Sequence, residues 1–157
     1  MGSIELIGNC QEVRDILNDP EMLGRICEDG QNIVFDDNTI DSMLANGMLL
    51  GWFVDSDLKG FYWVHEFCYS IAQIHAHFPK EKRTYAKHSG KAMLKWLKDN
   101  IPSQYKKFMA QIPECYKDVI GFSVREGLRH SGRIEQAAYR NGKCYDIIVL
   151  SVNRECI

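Results

Sequence analysis

The sequence predicts an α/β domain built on a mostly antiparallel sheet, and three observations carry that expectation. Residues 48–78 read as three strand-like segments separated by short polar turns, the pattern of a meander. Residues 85–98 switch to apolar positions three and four apart, the period of an amphipathic helix. Residues 128–152 divide into two strand-like halves around Asn141-Gly142, a strong hairpin signal.

At 157 residues and 18.1 kDa the chain can bury roughly 70% of its unfolded surface as one unit and is too short for two ordinary domains, so residues 1–157 form a single domain in this reading. Hydrophobic residues make up 45% and charged residues 25%, with 4 Pro and 12 Gly, which excludes a disordered or collagen-like chain. No apolar run approaches the ~20 residues of a membrane helix, and no basic stretch followed by an apolar one opens the chain. A cytoplasmic protein without membrane contact is expected. Cys10, Cys27, Cys68, Cys115, Cys144 and Cys156 form no C-x-x-C pair, so neither a zinc ribbon nor a dithiol motif can be drawn. Reduced thiols and no metal are expected.

Taken in order, residues 4–7 alternate as a short strand. Val13, Ile16, Leu17, Met22, Leu23 and Ile26 then keep a helical spacing over 10–26 that Pro20 interrupts, giving one or two helices. Residues 41–46 suit a short helix that Gly47 ends where strand 48–54 begins. Asp55-Ser56-Asp57 is a hairpin turn leading into strand 59–67, and 70–78 completes the meander. In the next helix Tyr85, Ser89, Ala92, Met93, Trp96 and Leu97 share one face, Lys87, Lys91, Lys95 and Lys98 fall mostly on the other, and Pro102 stops it. Residues 108–112 form a short apolar strand, and Pro113-Glu114 opens a second helix that ends at Gly127. The hairpin of 128–139 and 144–152 completes the order β, α, β, β, β, α, β, α, β, β.

The net charge of -2 hides an uneven distribution. Residues 1–57 carry twelve acids against Arg14 and Arg25, whereas residues 80–107 carry nine Lys or Arg against Glu81 and Asp99. Such a division describes either two solvated faces or an anion-binding centre beside an acidic half that attracts a cationic partner. Nucleic acid is the weaker partner, because the aromatic residues lie away from the lysine-rich helix.

Strand 70–78 places Ala72, Ile74, Ala76 and Phe78 on one face and Gln73, His75 and His77 on the other. The two imidazoles are either part of a solvated face or bases on a rigid strand, where an unperturbed pKa of about 6.5 suits proton transfer. Arg83-Thr84-Tyr85-Ala86-Lys87-His88-Ser89-Gly90-Lys91 enters the helix shortly afterwards. Free amides at a helix N-terminus, with Arg and Lys nearby, suit a phosphate. Trp52, Phe61, Trp63 and Phe67 read as cross-strand core pairs or as pocket lining.

Element order and motif together resemble the GCN5-related N-acetyltransferase (GNAT) superfamily, whose diphosphate loop reads Q/R-x-x-G-x-G/A at the start of the helix after the fourth strand. Gly90-Lys91-Ala92-Met93-Leu94 resembles that family's G-K-A-L-L helix entry. In one register Tyr85 falls on the Q/R position and His88 on the first glycine; in another Arg83 stands first with Ala86 as the small residue. Downstream, Ile112-Pro113, residues 119–128, Gly132, Asn141-Gly142 and Asp146 resemble the A-I-x-F-Y-x-K-x-G-F, E-G, N-G, D ending of acetyltransferases like those for ribosomal-protein N-termini. The resemblance runs from 48 to 154 and is nearest to small acetyltransferase-like proteins of tailed phages, some of which carry head-assembly names.

This resemblance implies a mixed, mostly antiparallel sheet of six or seven strands with helices on both faces, split in the middle to admit acetyl-CoA as co-substrate. It implies direct transfer of acetyl to a primary amine. Ile74, Ala76, His77 and Phe78 would line the pantetheine, and Arg83, Tyr85, Ala86, Lys87, His88, Ser89, Gly90 and Lys91 the diphosphate. His75 would be the base, with Glu66 of the preceding strand as second choice. Ser123 stands where many members place the tyrosine that protonates the leaving thiolate, and serine is a poor acid. A cationic acceptor, protein or small molecule, is expected because the acidic N-terminal half would wall its site. A rival reading keeps the fold without the chemistry, as a phage assembly or host-interaction protein. The missing tyrosine and degenerate loop favour the rival; the two histidines and the basic loop favour the enzyme. A phage or host partner and a homodimer both fit this resemblance, and a phage-encoded chain would work in the host cytoplasm.

Overall fold

The computed structural model describes residues 2–157. They form, in order, β1 (Ser3–Ile7), α1 (Gln11–Leu17), α2 (Pro20–Ile26), α3 (Asp37–Ala45), β2 (Gly47–Val54), β3 (Asp57–Cys68) and β4 (Ile71–His77). A 3-10 turn (Lys80–Ala86) leads to α4 (Ser89–Asn100), β5 (Lys107–Pro113), α5 (Lys117–Arg125), β6 (Arg129–Arg140) and β7 (Lys143–Asn153), and Arg154–Cys156 closes the chain with a second 3-10 turn. The strands make one seven-stranded sheet in the order β1-β2-β3-β4-β5-β7-β6, antiparallel throughout except between β4 and β5. This is the mixed, mostly antiparallel α/β architecture expected from the sequence.

Local chemistry explains most boundaries. Asp19 accepts hydrogen bonds from the Glu21 amide at 3.1 Å and the Met22 amide at 3.0 Å, and Pro20 occupies the first helical position, so the 10–26 segment becomes two helices. Asp36 caps α3 in the same way through the Thr39 amide at 2.9 Å, which starts that helix at Asp37 rather than at 41. Asp55 (φ 53) and Ser56 (φ 66), then Asn141 (φ 51) and Gly142 (φ 73), supply the paired positive φ values of tight hairpin turns. The lysine-rich helix begins at Ser89, later than its apolar spacing suggests. His88 turns to φ 69 there, and Ser89 Oγ donates to the Ala86 carbonyl at 2.6 Å, closing the 3-10 turn that holds Tyr85.

Two cores sandwich the sheet. One joins α4 and α5 to Leu50, Tyr62, Val64, Ile74, Phe108 and Leu150; the other joins α1 and α3 to Leu49, Leu58 and Phe61. All six cysteines are free thiols. Among the described residues no helix is long and apolar enough to cross a membrane.

The sheet parts in its middle. β4 and β5 pair only through Ile71↔Lys107, Ala72↔Phe108 and Gln73↔Met109. Beyond that point each keeps its outer neighbour, β4 with β3 as far as His77 and β5 with β7 as far as Pro113. The strands continue while their mutual ladder stops, so backbone groups from both edges turn towards one slot.

Candidate functional site

Ile74, His75, Ala76 and His77 form the β4 side of the slot. Ala76 is exposed although it shares a face with buried Ala72 and Ile74, which marks the slot's opening on the α4 side. Ala76 lies opposite Tyr62 of β3, and the Tyr62 hydroxyl meets Ser89 Oγ at 2.6 Å in the first turn of α4. Because Ser89 spends its hydrogen on the Ala86 carbonyl, Tyr62 is the donor in that contact. Burial pushes the Tyr62 phenol well above its ordinary pKa, which keeps that proton in place. Slot and helix N-terminus are thus joined by one hydrogen-bonded strut.

The opposite face of β4 carries the histidines. His75 Nε2 lies 3.0 Å from Nε2 of His65, and both rings stack on Trp63. His65 Nδ1 is 3.0 Å from the Glu66 carbonyl, an acceptor, so Nδ1 carries the hydrogen. In the neutral pair His75 is therefore the Nε2 donor, and its Nδ1 holds a free lone pair. Burial, reinforced by the His65 charge, lowers the His75 pKa to about 4. His77 is enclosed beside Phe61, its ring nitrogens have no partner, and burial followed by the His75 charge lowers its pKa to about 3. Neither ring keeps the ordinary value of about 6.5 assumed from sequence, because the α1 and α3 side covers this face.

Glu66 is not brought to the same place. It pairs across from Ala72, before the strands part, on the sheet face opposite His75, and its carboxylate accepts the Tyr105 hydroxyl at 2.6 Å. Ser123 is buried in the last turns of α5. Trp52 and Phe61 are core residues, Trp63 is half-buried, and Phe67 is exposed.

The loop before α4 is braced internally. Arg83 donates to Glu21 of α2 at 2.8 Å and to the Phe78 carbonyl at 3.3 Å. Its hydrogen bond is the main reason the Glu21 carboxyl lies below the usual range. Trp52 Nε1 holds the Tyr85 carbonyl at 2.8 Å, and Lys59 sits over the Tyr85 ring. Lys87 and Lys91 are exposed. At the head of α4 the His88 amide donates to Glu126 Oε1 at 3.2 Å and the Lys91 amide to Oε2 at 3.1 Å. Gly90 lies against the same side chain.

Glu126 escaped sequence reasoning. Its signal is an acid at the C-terminal end of α5, where a helix favours cations, so a partner had to lie elsewhere in the fold.

The acidic N-terminal half is largely committed to structure. Asp19 and Asp36 are caps, Asp37 pairs with Arg14, and Glu21 bridges Arg83 and Arg25. Asp29 accepts from the Asn141 and Gly142 amides at 2.9 and 2.6 Å, fastening the segment after α2 to the β6–β7 turn. Among the described residues no group of three or more His, Cys, Asp or Glu is placed to hold a metal ion.

The parted sheet, with a loop and helix N-terminus at its mouth, is the GCN5-related N-acetyltransferase fold. Spermidine N-acetyltransferase from Vibrio cholerae, solved with CoA and spermine, is similar at a TM-score of 0.77 and 10% identity over 98% of this chain and 97% of that one. The Salmonella typhimurium protein yncA, solved with acetyl-CoA, is similar at 0.78 and 13% over 98% and 94%. A GNAT-family acetyltransferase from Elizabethkingia anophelis with acetyl-CoA is similar at 0.67 and 15%, over 97% of each chain. No curated protein matches the sequence. The chain belongs to the family described as "Protein of unknown function (DUF2824)", whose profile matches residues 4–157.

Proposed function

We propose that the chain transfers an acetyl group from acetyl-CoA to a primary amine, a reading carried by the parting of β4 from β5 beside the head of α4. The slot suits a narrow arm bearing amides: its walls are backbone without a partner strand, and Ala76 leaves its mouth open. The turn at 88–91 suits a diphosphate in having helix amides with Lys87 and Lys91 alongside, once Glu126 has left those amides. When bound, acetyl-CoA would supply an acyl group activated as a thioester.

The chain's own contribution is positioning and proton handling. Ile74, Ala76, His77 and Phe78 would line the arm, with Lys87, His88, Ser89, Gly90 and Lys91 at the diphosphate. Arg83, Tyr85 and Ala86 would support that turn from behind. His75 would take the proton of the neutral amine on Nδ1, directly or through water, as the C–N bond forms and the thioester C–S bond breaks, while its Nε2 hydrogen bond to His65 fixes the tautomer. The departing CoA thiolate would take its proton from water, Ser123 being a poor acid. A base with so low a pKa holds a proton only briefly, and His65 offers that proton an exit. The acceptor in this reading is a cationic amine; the support is the acidic composition of residues 1–57 and the spermine held by the Vibrio cholerae protein.

Calorimetric titration with acetyl-CoA, followed by mass spectrometry of spermine, a lysine peptide and a neutral amine incubated with protein and acetyl-CoA, tests the proposal. Binding with acetylation of the cationic amines supports it; absence of binding sinks it.

Glu126 on the α4 amides and Ser123 in place of a tyrosine favour a second reading, a non-catalytic phage or host-interaction protein that uses the fold as a scaffold. Binding of acetyl-CoA without acetylation of any amine would select it.

A further inference from the structure

The turn proposed for the diphosphate already holds an anion of its own. Glu126 is only 6% exposed, and its two carboxylate oxygens each take one amide at the head of α4. That is the arrangement two phosphate oxygens would adopt on the same donors. The α4 dipole stabilises the charge, whereas Glu126's own helix, α5, opposes it. Gly90 makes the approach possible, since any side chain there would meet Glu126.

Resting on the acetyl-CoA reading above, we infer that Glu126 is a built-in stopper of the diphosphate turn, so that CoA occupies it only after Glu126 has swung off. A carboxylate left in place would compete for the amides and repel the diphosphate. A groove of about 410 Å³ beside Glu126 gives the displaced side chain room, and the exposed Lys91 on its wall gives it a cation to settle on, Lys95 there being already paired with Asp99. The device makes the affinity for CoA depend on a competition inside the chain.

Glu126→Gln and Glu126→Ala test it. Gln has the same shape but only one accepting oxygen, so it can satisfy one of the two amides; Ala satisfies neither. CoA titrated calorimetrically at neutral pH should bind both variants at least tenfold more tightly than the wild type. Inorganic pyrophosphate should raise the melting temperature of both variants more than that of the wild type. CoA affinity equal in all three proteins, or weaker in the variants, overturns the stopper and leaves the acetyl-CoA reading standing. If CoA binds none of the three, the acetyl-CoA reading falls and pyrophosphate decides alone: a larger shift in the variants supports the stopper, and equal or absent shifts overturn it. Should Glu126→Ala fail to fold, Glu126→Gln carries the comparison by itself.

Discussion

His65 and His75 meet Nε2 to Nε2 at 3.0 Å across β3 and β4, two residues past the point where β4 leaves β5. The contact sets the His75 tautomer and keeps a lone pair on Nδ1. His75→Ala should therefore lower turnover by about 10² to 10⁴ while leaving acetyl-CoA affinity unchanged, in line with the loss of a general base. Because the pKa of His75 is lowered to about 4, the wild-type rate should be level between pH 6 and 7 and fall only as the pH approaches that value. Steady-state rates and calorimetry on both proteins check this; a wild-type rate that rises through an ionisation near 6.5 would contradict it.

Acid should unfold the protein through the same face. His75 and His77 have folded pKa values near 4 and 3, below the ordinary 6.5, so between those limits the unfolded chain binds more protons. Their contribution is complete above about pH 6.5 and drains as the pH falls towards 4 and 3, a loss on the order of a few kcal/mol. His77→Leu, which keeps an apolar side chain beside Phe61, should flatten that slope. Thermal melts from pH 4 to 7 measure it, and an unchanged slope would refute the assignment.

Gly90 and Glu126 should be energetically coupled. A Cβ at position 90 would stand 2.6 Å from Glu126 Cβ and 2.8 Å from its Cγ. Gly90→Ala should cost about 1–3 kcal/mol by crowding, more than the ~1 kcal/mol that alanine gains inside a helix. In a Glu126→Gly background, which removes both of those atoms, the same change should cost less. Urea denaturation of the two single variants and the double variant provides the cycle, and strict additivity would show that the contact is not felt.

Arg83 should act as a brace and the nearby lysines as the anion contacts. Its guanidinium is engaged by Glu21 and the Phe78 carbonyl, so Arg83→Met should lower stability by at most about 1 kcal/mol and change CoA affinity little. Lys87→Ala and Lys91→Ala should weaken CoA binding several-fold, with a shallower salt dependence. Titrations at two ionic strengths separate these cases.

Much of the architecture was determined locally. The alternation of 70–78 set which residues of β4 share a face, Asn141-Gly142 set a hairpin, and Asp19 with Pro20 set a helix start. Each follows from neighbouring residues, because strand period, turn φ values and caps are properties of a few consecutive positions. The loop and lysine-rich helix after β4 were legible for the same reason, apart from the start at Ser89, which depends on the contacts of that side chain with Ala86 and Tyr62.

Only the tertiary structure decided what these elements meet. Arg83 finds Glu21 sixty-two residues away, Glu126 finds the amides of His88 and Lys91, and His75 finds His65 on the next strand. The ladder between β4 and β5 stops after Gln73 although each strand continues beside its outer neighbour, a splaying that no local period encodes. Burial of His77 likewise depends on the helices that cover its face, and that cover, rather than the imidazole itself, sets its charge. Sequence chose the residues and the faces they share; packing of distant segments chose their partners and hence their protonation.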